Sequence, residues 1–353
     1  RRYGMWVSEF FVGFGKRIWS VQRGETEFGV KAIPAGGYCK IEGMTANDQM
    51  PEGQEHRAFY KASSGKKLVV LGAGSFLHFV LGYILLFILF AGVGTNQVLP
   101  VIGEVISSSA AQSAGIQVGD EVISINGVKV TAWDKDVERI RNSQGKELTL
   151  ELLRDGQNIT ITATPRLTEV DGTNRFVLGI VNTVGLKRSG IVESSSNAFT
   201  VTRSLIVESV KSLVSLPSKI PALWGQTVRG EERDANGLVG VVGVARVSGE
   251  AIGSSKLSGS ERWATFLLII ASLNIFVGIF NLLPILPLDG GHMAVAIADE
   301  IRALYARIRG RARPAAIDVT VLTPVTMVVF VILACLTLLL LVADVINPVT
   351  LNL

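Results

Sequence analysis

Apolar residues in this chain are gathered into blocks, and the stretches between the blocks carry turn residues or charge. Leu68 to Val93 and Val319 to Ala343 are nearly charge-free apolar runs, each exceeding the ~20 residues that a bilayer-spanning helix requires. Between them Trp263 to Leu288, "WATFLLIIASLNIFVGIFNLLPILPL", is as long but is interrupted by Ser272, Asn274 and Asn281. Polar groups within a span face protein rather than lipid. The pattern therefore predicts three membrane helices, at residues 68–93, 263–288 and 319–343.

Other periods appear outside these runs. Thr26 to Glu42 alternates apolar and polar positions on both sides of Pro34-Ala35-Gly36-Gly37, which predicts a β-hairpin at about 26–42. Its apolar face suits either a segment dipping into the membrane or a cytosolic ribbon. Residues 101–165 predict a small α+β domain, with a short helix ending at Gly115, a strand over Glu121–Ile125 and an Asn126-Gly127 turn. A helix over Asp134–Asn142 and two strands joined at Asp155-Gly156 complete it. Residues 166–262 read as a linker with amphipathic helices. Within it, Phe199, Leu205, Ile206, Val210 and Leu213 recur at helical spacing, suiting a membrane interface or a protein core equally.

Composition agrees with a membrane protein. Apolar residues make up 48% of the chain and charged residues 18%, and the mean hydropathy is +0.41; a soluble chain of this length is more polar. The net charge of +4 does not point to nucleic acid, because the cations fall in two segments rather than one patch. Residues 1–67 carry an excess of Lys and Arg, and the 299–318 loop contains "RALYARIRGRAR". By the positive-inside rule both segments are expected to be cytoplasmic. Two spans separate them, as that assignment requires, which places the 101–165 domain outside the cytoplasm. Cys39 and Cys335 are too few for a cysteine zinc site and badly placed for a disulfide.

The second span closes on Asn281 to His292, "NLLPILPLDGGH". A carboxylate at membrane depth costs roughly 2.5–3.5 kcal/mol unless it pairs, titrates or binds a metal, so Asp289 is a functional-site candidate. Pro284 and Pro287 break the helix just before it, and Gly290 and Gly291 admit close backbone approach. The competing role for Asp289 is capping of the helix that follows.

Taken in order, "GFG" at Gly13–Gly15, "TEFGVKAIPAGGYCKIEGM" at Thr26–Met44, "AGIQVGDEVISINGVKV" and "SLNIFVGIFNLLPILPLDGGH" at Ser272–His292 resemble the site-2 protease family of intramembrane zinc metalloproteases. The resemblance covers nearly the whole chain and is closest to bacterial, actinobacterial-like members with an inserted PDZ domain. It implies a polytopic α-helical protein of the bacterial inner or plasma membrane. A membrane-associated β-hairpin and an extracytoplasmic α+β PDZ domain at 101–165 would accompany the helices. It also implies zinc as cofactor, with Asp289 as one protein ligand and Asn281 holding the backbone of an extended substrate. Substrates would be single-span membrane proteins such as anti-sigma factors or signal-peptide remnants. The PDZ domain would bind an extended peptide, with Val101–Val105 expected as its binding segment.

One motif is missing. The family takes two zinc-ligating histidines and a catalytic Glu from H-E-x-x-H on its first span, and none of His56, His78 and His292 has a partner at that spacing. No catalytic residue of that motif is therefore assigned in this chain. The expectation is an N-terminal truncation, with a fourth span carrying H-E-x-x-H encoded just ahead of Arg1; the chain as given would then be inactive. A non-catalytic membrane PDZ relative that binds or retains membrane proteins is the alternative.

Overall fold

The computed structural model describes residues 2–45, 47–131, 133–170, 172–233 and 237–349. In chain order the elements are β1 (Val7–Arg23), β2 (Thr26–Ile41), α1 (Ser64–Ile88), β3 (Thr95–Val105), α2 (Ala110–Ser113), β4 (Glu121–Ile125) and β5 (Val128–Lys129). There follow α3 (Trp133–Arg141), β6 (Leu148–Arg154), β7 (Gln157–Ala163), β8 (Arg166–Val170), β9 (Thr173–Val177) and β10 (Ile180–Lys187). The chain continues as α4 (Ile191–Val228), α5 (Val241–Gly253), α6 (Gly259–Asn281), α7 (Asp289–Ile308) and α8 (Thr323–Ile346). Among the described residues three helical segments are long and apolar enough to cross a membrane: Ser64–Val93, Gly259–Asn281 and Val319–Ile346. The second ends seven residues before the predicted Leu288, because Leu282 to Leu288 form successive turns that the two prolines keep out of the helical ladder. The chain forms two compact units, one of residues 1–85, 199–250 and 269 onward, the other of residues 86–198 and 251–268.

In the first unit the hairpin is larger than predicted. β1, which the sequence pattern missed, pairs with β2 across a tight turn at Gly24-Glu25, and the predicted turn at 34–37 lies within β2. Phe10 is beside both Cys39 and Phe28, and Val12 beside both Gly37 and Val30, so each long strand folds back at its middle. Glycine makes the bend feasible: Gly13 has φ of +92°, and a Cβ there would sit 2.7 Å from the Lys31 carbonyl oxygen. Buried Thr26 donates its hydroxyl to the Val7 carbonyl at 2.7 Å, closing the base of the ribbon. Met5, Phe59 and Leu71 form a small core beneath it, packed by Ile41, Met44 and Met293.

Small residues let α1 and α6 approach closely, as helices in a bilayer generally do. A Cβ on Gly82 would be 2.7 Å from the Ile275 side chain, and one on Gly278 would be 2.9 Å from the Phe79 ring. Next to these contacts, His78 Nδ1 lies 3.0 Å from Asn274 Oδ1, and Asn274 Nδ2 donates to the Ile270 carbonyl at 2.8 Å. Because the Asn amide nitrogen is committed to the backbone, its oxygen accepts and the histidine donates.

The C-terminal end of α8 is tied down by polar contacts. Asp344 and Arg233 form a buried ion pair at 3.2 Å, with side chains 0% and 4% exposed. Asp344 also accepts the Gly243 amide at 2.8 Å, while Arg233 donates to the Leu238 carbonyl. Asn347 donates to the carbonyls of Gln226 and Glu231.

In the second unit, a mixed-length sheet of order β10-β3-β4-β6-β7, with β5 beside β4, wraps a core of Ile102, Val122, Ile125, Leu150, Leu152 and Trp133. Asp120 is gripped by the Arg154 fork, both bonds 2.7 Å, and accepts the Gln117 amide at 2.8 Å. The Arg154 hydrogen bonds hold the Asp120 carboxyl below its ordinary range. Two expectations change here. The sheet recruits β10 from the predicted linker, and β3 is paired on both sides, Val105 with Ile180 and Val101 with Glu121. Val101–Val105 is thus covered by β10 along one side and meets β4 and the residues just ahead of it at Val101 and Ile102 on the other. The edge on that side of the sheet belongs to β10.

Candidate metal centre

The Asn281–His292 segment is built as a helix end, a run of turns and a helix start. Asn281 is the last residue of α6, and the chain then turns through Leu282 N to Ile279 O, Leu283 N to Phe280 O and Leu288 N to Ile285 O. Asp289 opens α7 as its first helical residue; the residue before it, Leu288, is the cap, and no side chain caps that end. The capping role for Asp289 is therefore not the one it takes, although its charge suits a helix N-terminus.

Two glycines fix where Asp289 sits. A Cβ on Gly290 would collide with the Leu283 carbonyl oxygen and the Leu282 carbonyl group, and one on Gly291 would lie 2.5 Å from the Leu286 nitrogen and 2.6 Å from the Ile285 carbonyl carbon. The turns wrap so closely over the first turn of α7 that only hydrogen fits. On the other side, α1 presents Gly74, where a Cβ would be 3.9 Å from Asp289 Oδ2. The neighbouring Ser75 is buried with its hydroxyl unpartnered among the described residues.

Asp289 and Asn281 are both half-buried, and neither side chain makes a hydrogen bond to another described residue. A carboxylate and an amide are thus left free at the end of α6. His292 lies one helical turn beyond Asp289 on α7. His292 also lines a cavity of about 250 Å³ with Met44, Phe59, Lys67 and Asp299.

As a metal site this donor set is incomplete. Among the described residues no three His, Cys, Asp or Glu side chains come together in a way that could hold an ion, and a structural or catalytic zinc needs at least three protein donors. His56 and His78 are not part of the cluster: His56 lies in the loop before α1, and His78 is engaged by Asn274. The structure brings Asp289 beside α1 and His292, and leaves the remaining ligands unsupplied by these residues.

Three membrane-length helices among the described residues, a folded β-ribbon and an Asp-Gly-Gly turn packed against the first of those helices fit the intramembrane protease class that the motifs resemble. Residues 1–329 match Peptidase family M50. The chain is 32% identical over 386 aligned residues to the zinc metalloprotease Rip1 of Mycobacterium tuberculosis, covering 99% of this chain and 92% of that protein. It is 33% identical to the Rip1 of Mycolicibacterium smegmatis over 382 residues, with the same two coverages. A putative zinc metalloprotease of Mesorhizobium japonicum is 33% identical over 82% of this chain and 80% of its own length. The chain belongs to peptidase family M50, the site-2 protease family that its motifs resemble.

Proposed function

We propose that this chain is a zinc-dependent intramembrane endopeptidase of the bacterial inner membrane that cuts single-span membrane proteins. The observation that carries this proposal is the Asp289 carboxylate, unpaired by hydrogen bonds and held by the Gly290-Gly291 turn against α1. Relatives across essentially the full chain are named zinc metalloproteases. Asp289 is the ligand this chain would offer to such a metal, and Asn281, free at the end of the same span, would hydrogen-bond an unwound substrate backbone. Residues 1–353 contain no H-E-x-x-H, and a zinc held through Asp289 would need further donors beside it.

The β1–β2 ribbon, with Phe10, Val12, Ile18, Trp19 and Ile33 exposed, suits a membrane-reentrant element that meets the substrate. The six-stranded sheet with α3 suits an extracytoplasmic PDZ domain whose peptide edge is β10 rather than Val101–Val105. Residues 1–67 and 299–318 would face the cytoplasm. Anti-sigma factors or signal-peptide remnants, already cut outside the membrane, fit such a protease as substrates.

The incomplete donor set favours one competing role, a non-catalytic relative that retains membrane proteins through the same sheet. The two are separated by zinc content and cleavage of a single-span reporter, measured on the product of the intact gene. A protease loses both on Asp289→Ala. Absence of zinc in the wild-type protein, with retention of the reporter unchanged by Asp289→Ala, would establish the binding role instead.

A further inference from the structure

Cations converge at the start of the first span without enough anions to match them. A cavity of about 430 Å³ lies between the N-terminal turn of α1 and the loop after α7, and its walls include Lys61, Ser63, Ser64, Lys67, Asp299 and Arg313. Lys67 is half-buried and, among the described residues, has no ion-pair partner; its ammonium sits 5.8 Å from the centre of the Phe59 ring. Lys61 likewise has only an aromatic face, that of Tyr60, at 5.6 Å. The one carboxylate in the wall is already engaged, since Asp299 accepts the Ile317 amide at 2.8 Å and faces Arg302 at 3.5 Å. Arg313 reaches Glu300 at 3.0 Å, a contact between two exposed side chains that an anion competes with easily. Ser63 and Ser64, at the N-terminal end of α1, line the same cavity, and the Lys67 amide donates to the Ser63 carbonyl at 3.1 Å.

The helix that borders this cavity shows what surface it lies against. On α7, Ile297, Ile301, Leu304 and Ile308 are all exposed and recur at helical spacing. Arg302 and Arg307 stand on the same helix, followed by Arg309, Arg311 and Arg313. An apolar stripe flanked by arginines is the pattern of a helix lying in a lipid headgroup layer, where each basic residue is attracted to anionic lipid. Lys67 is near enough to Asp299 to feel its charge but forms no ion pair with it among the described residues, so an anion entering the cavity would meet a half-buried ammonium with donors to spare.

We infer that the cavity formed by Lys61, Lys67, Arg313 and the first turn of α1 is a binding site for a phosphate group, supplied by the headgroup of an anionic phospholipid of the inner leaflet. The phosphate oxygens accept from the two ammonium groups, the guanidinium and the Ser63 and Ser64 hydroxyls, and the acyl chains leave along the exposed face of α7. The site rests on the membrane-protein reading given above, but not on zinc or peptide hydrolysis. Lipid binding and cleavage can therefore fail separately.

The test is native mass spectrometry of the full chain in detergent, offered phosphatidylglycerol or phosphatidylcholine, with inorganic phosphate as a third arm. Wild type should retain phosphatidylglycerol in preference to phosphatidylcholine, and Lys61→Gln/Lys67→Gln/Arg313→Gln should weaken that retention by roughly tenfold or more. Lys61→Gln alone, at an exposed position that does not support the fold, should weaken it several-fold, and Lys61→Arg should restore it. If inorganic phosphate binds in the same variant-sensitive way while neither lipid is preferred, the phosphate site stands and its source is a soluble phosphate ester. Equal phosphatidylglycerol retention by wild type and both glutamine variants, or no retention of either phosphate source by wild type, overturns the inference.

Discussion

Replacing Gly291 with alanine tests whether the turn over Asp289 is rigid. The new Cβ would stand 2.5 Å from the Leu286 nitrogen and 2.6 Å from the Ile285 carbonyl carbon, about 1 Å inside the ~3.5 Å at which such atoms rest in contact. Both atoms are backbone, so no rotamer change relieves the overlap, and the turn or the start of α7 must move by that distance. Overpacking of this kind costs about 1–3 kcal/mol or more, against the ~1 kcal/mol that alanine gains over glycine inside a helix. The net effect should be destabilising. Gly249 in α5 supplies the control, because a Cβ there meets nothing within 4 Å and only the helix-propensity gain remains. Thermal unfolding of the solubilised protein, followed by scanning fluorimetry, should show Gly291→Ala melting about 2 °C or more below wild type and Gly249→Ala at or above it. If Gly291→Ala melts with wild type or higher, the Ile285–Leu288 turn yields freely and cannot be what fixes Asp289.

Two further perturbations address the other contacts. The Arg154 fork lowers the Asp120 carboxyl, so its stabilising contribution is complete above about pH 4, the unfolded value. It disappears as pH falls through the depressed folded value. Hydrogen-exchange protection of β4 and β6 should follow that course, and Arg154→Met should remove about 3 kcal/mol at neutral pH by leaving Asp120 buried without its cation; unchanged protection would deny the pair a structural role. Asn274→Leu removes the acceptor for His78 and should cost only about 0.6 kcal/mol, at most roughly 1.7, as polar pairs between membrane helices do. A loss of several kcal/mol in unfolding of the detergent-solubilised protein would contradict that estimate.

The features that could be read from the sequence were those set by neighbouring residues. The three apolar runs became three long helices, and Asn281–His292 became a helix end, turns and a helix start, because prolines and glycines impose those shapes locally. Features that depend on distant partners were not legible. β1 mixes charged and aromatic residues, "VSEFFVGFGKRIWSVQR", and acquires its strand state from two separate stretches of β2. Its one local signal was the Gly13-Phe14-Gly15 bend. β10 joins the sheet only through β3, about 80 residues earlier, and in doing so closes the edge that Val101–Val105 seemed to offer. The approach of Gly74 to Asp289 likewise depends on helix packing that no spacing encodes.

The polar knot at the far end of α8 bears on biosynthesis. Arg233 leaves the ribosome 111 residues ahead of Asp344, and its guanidinium is nearly sealed from solvent once both are in place. Until the last membrane helix has been made and delivered, that cation has no anion to receive it, and enclosing it unpaired is strongly unfavourable. Enclosure of the Arg233 side chain must therefore wait until α8 is in place. A molecule whose final helix is missing or misinserted would leave the Arg233 guanidinium without its anion.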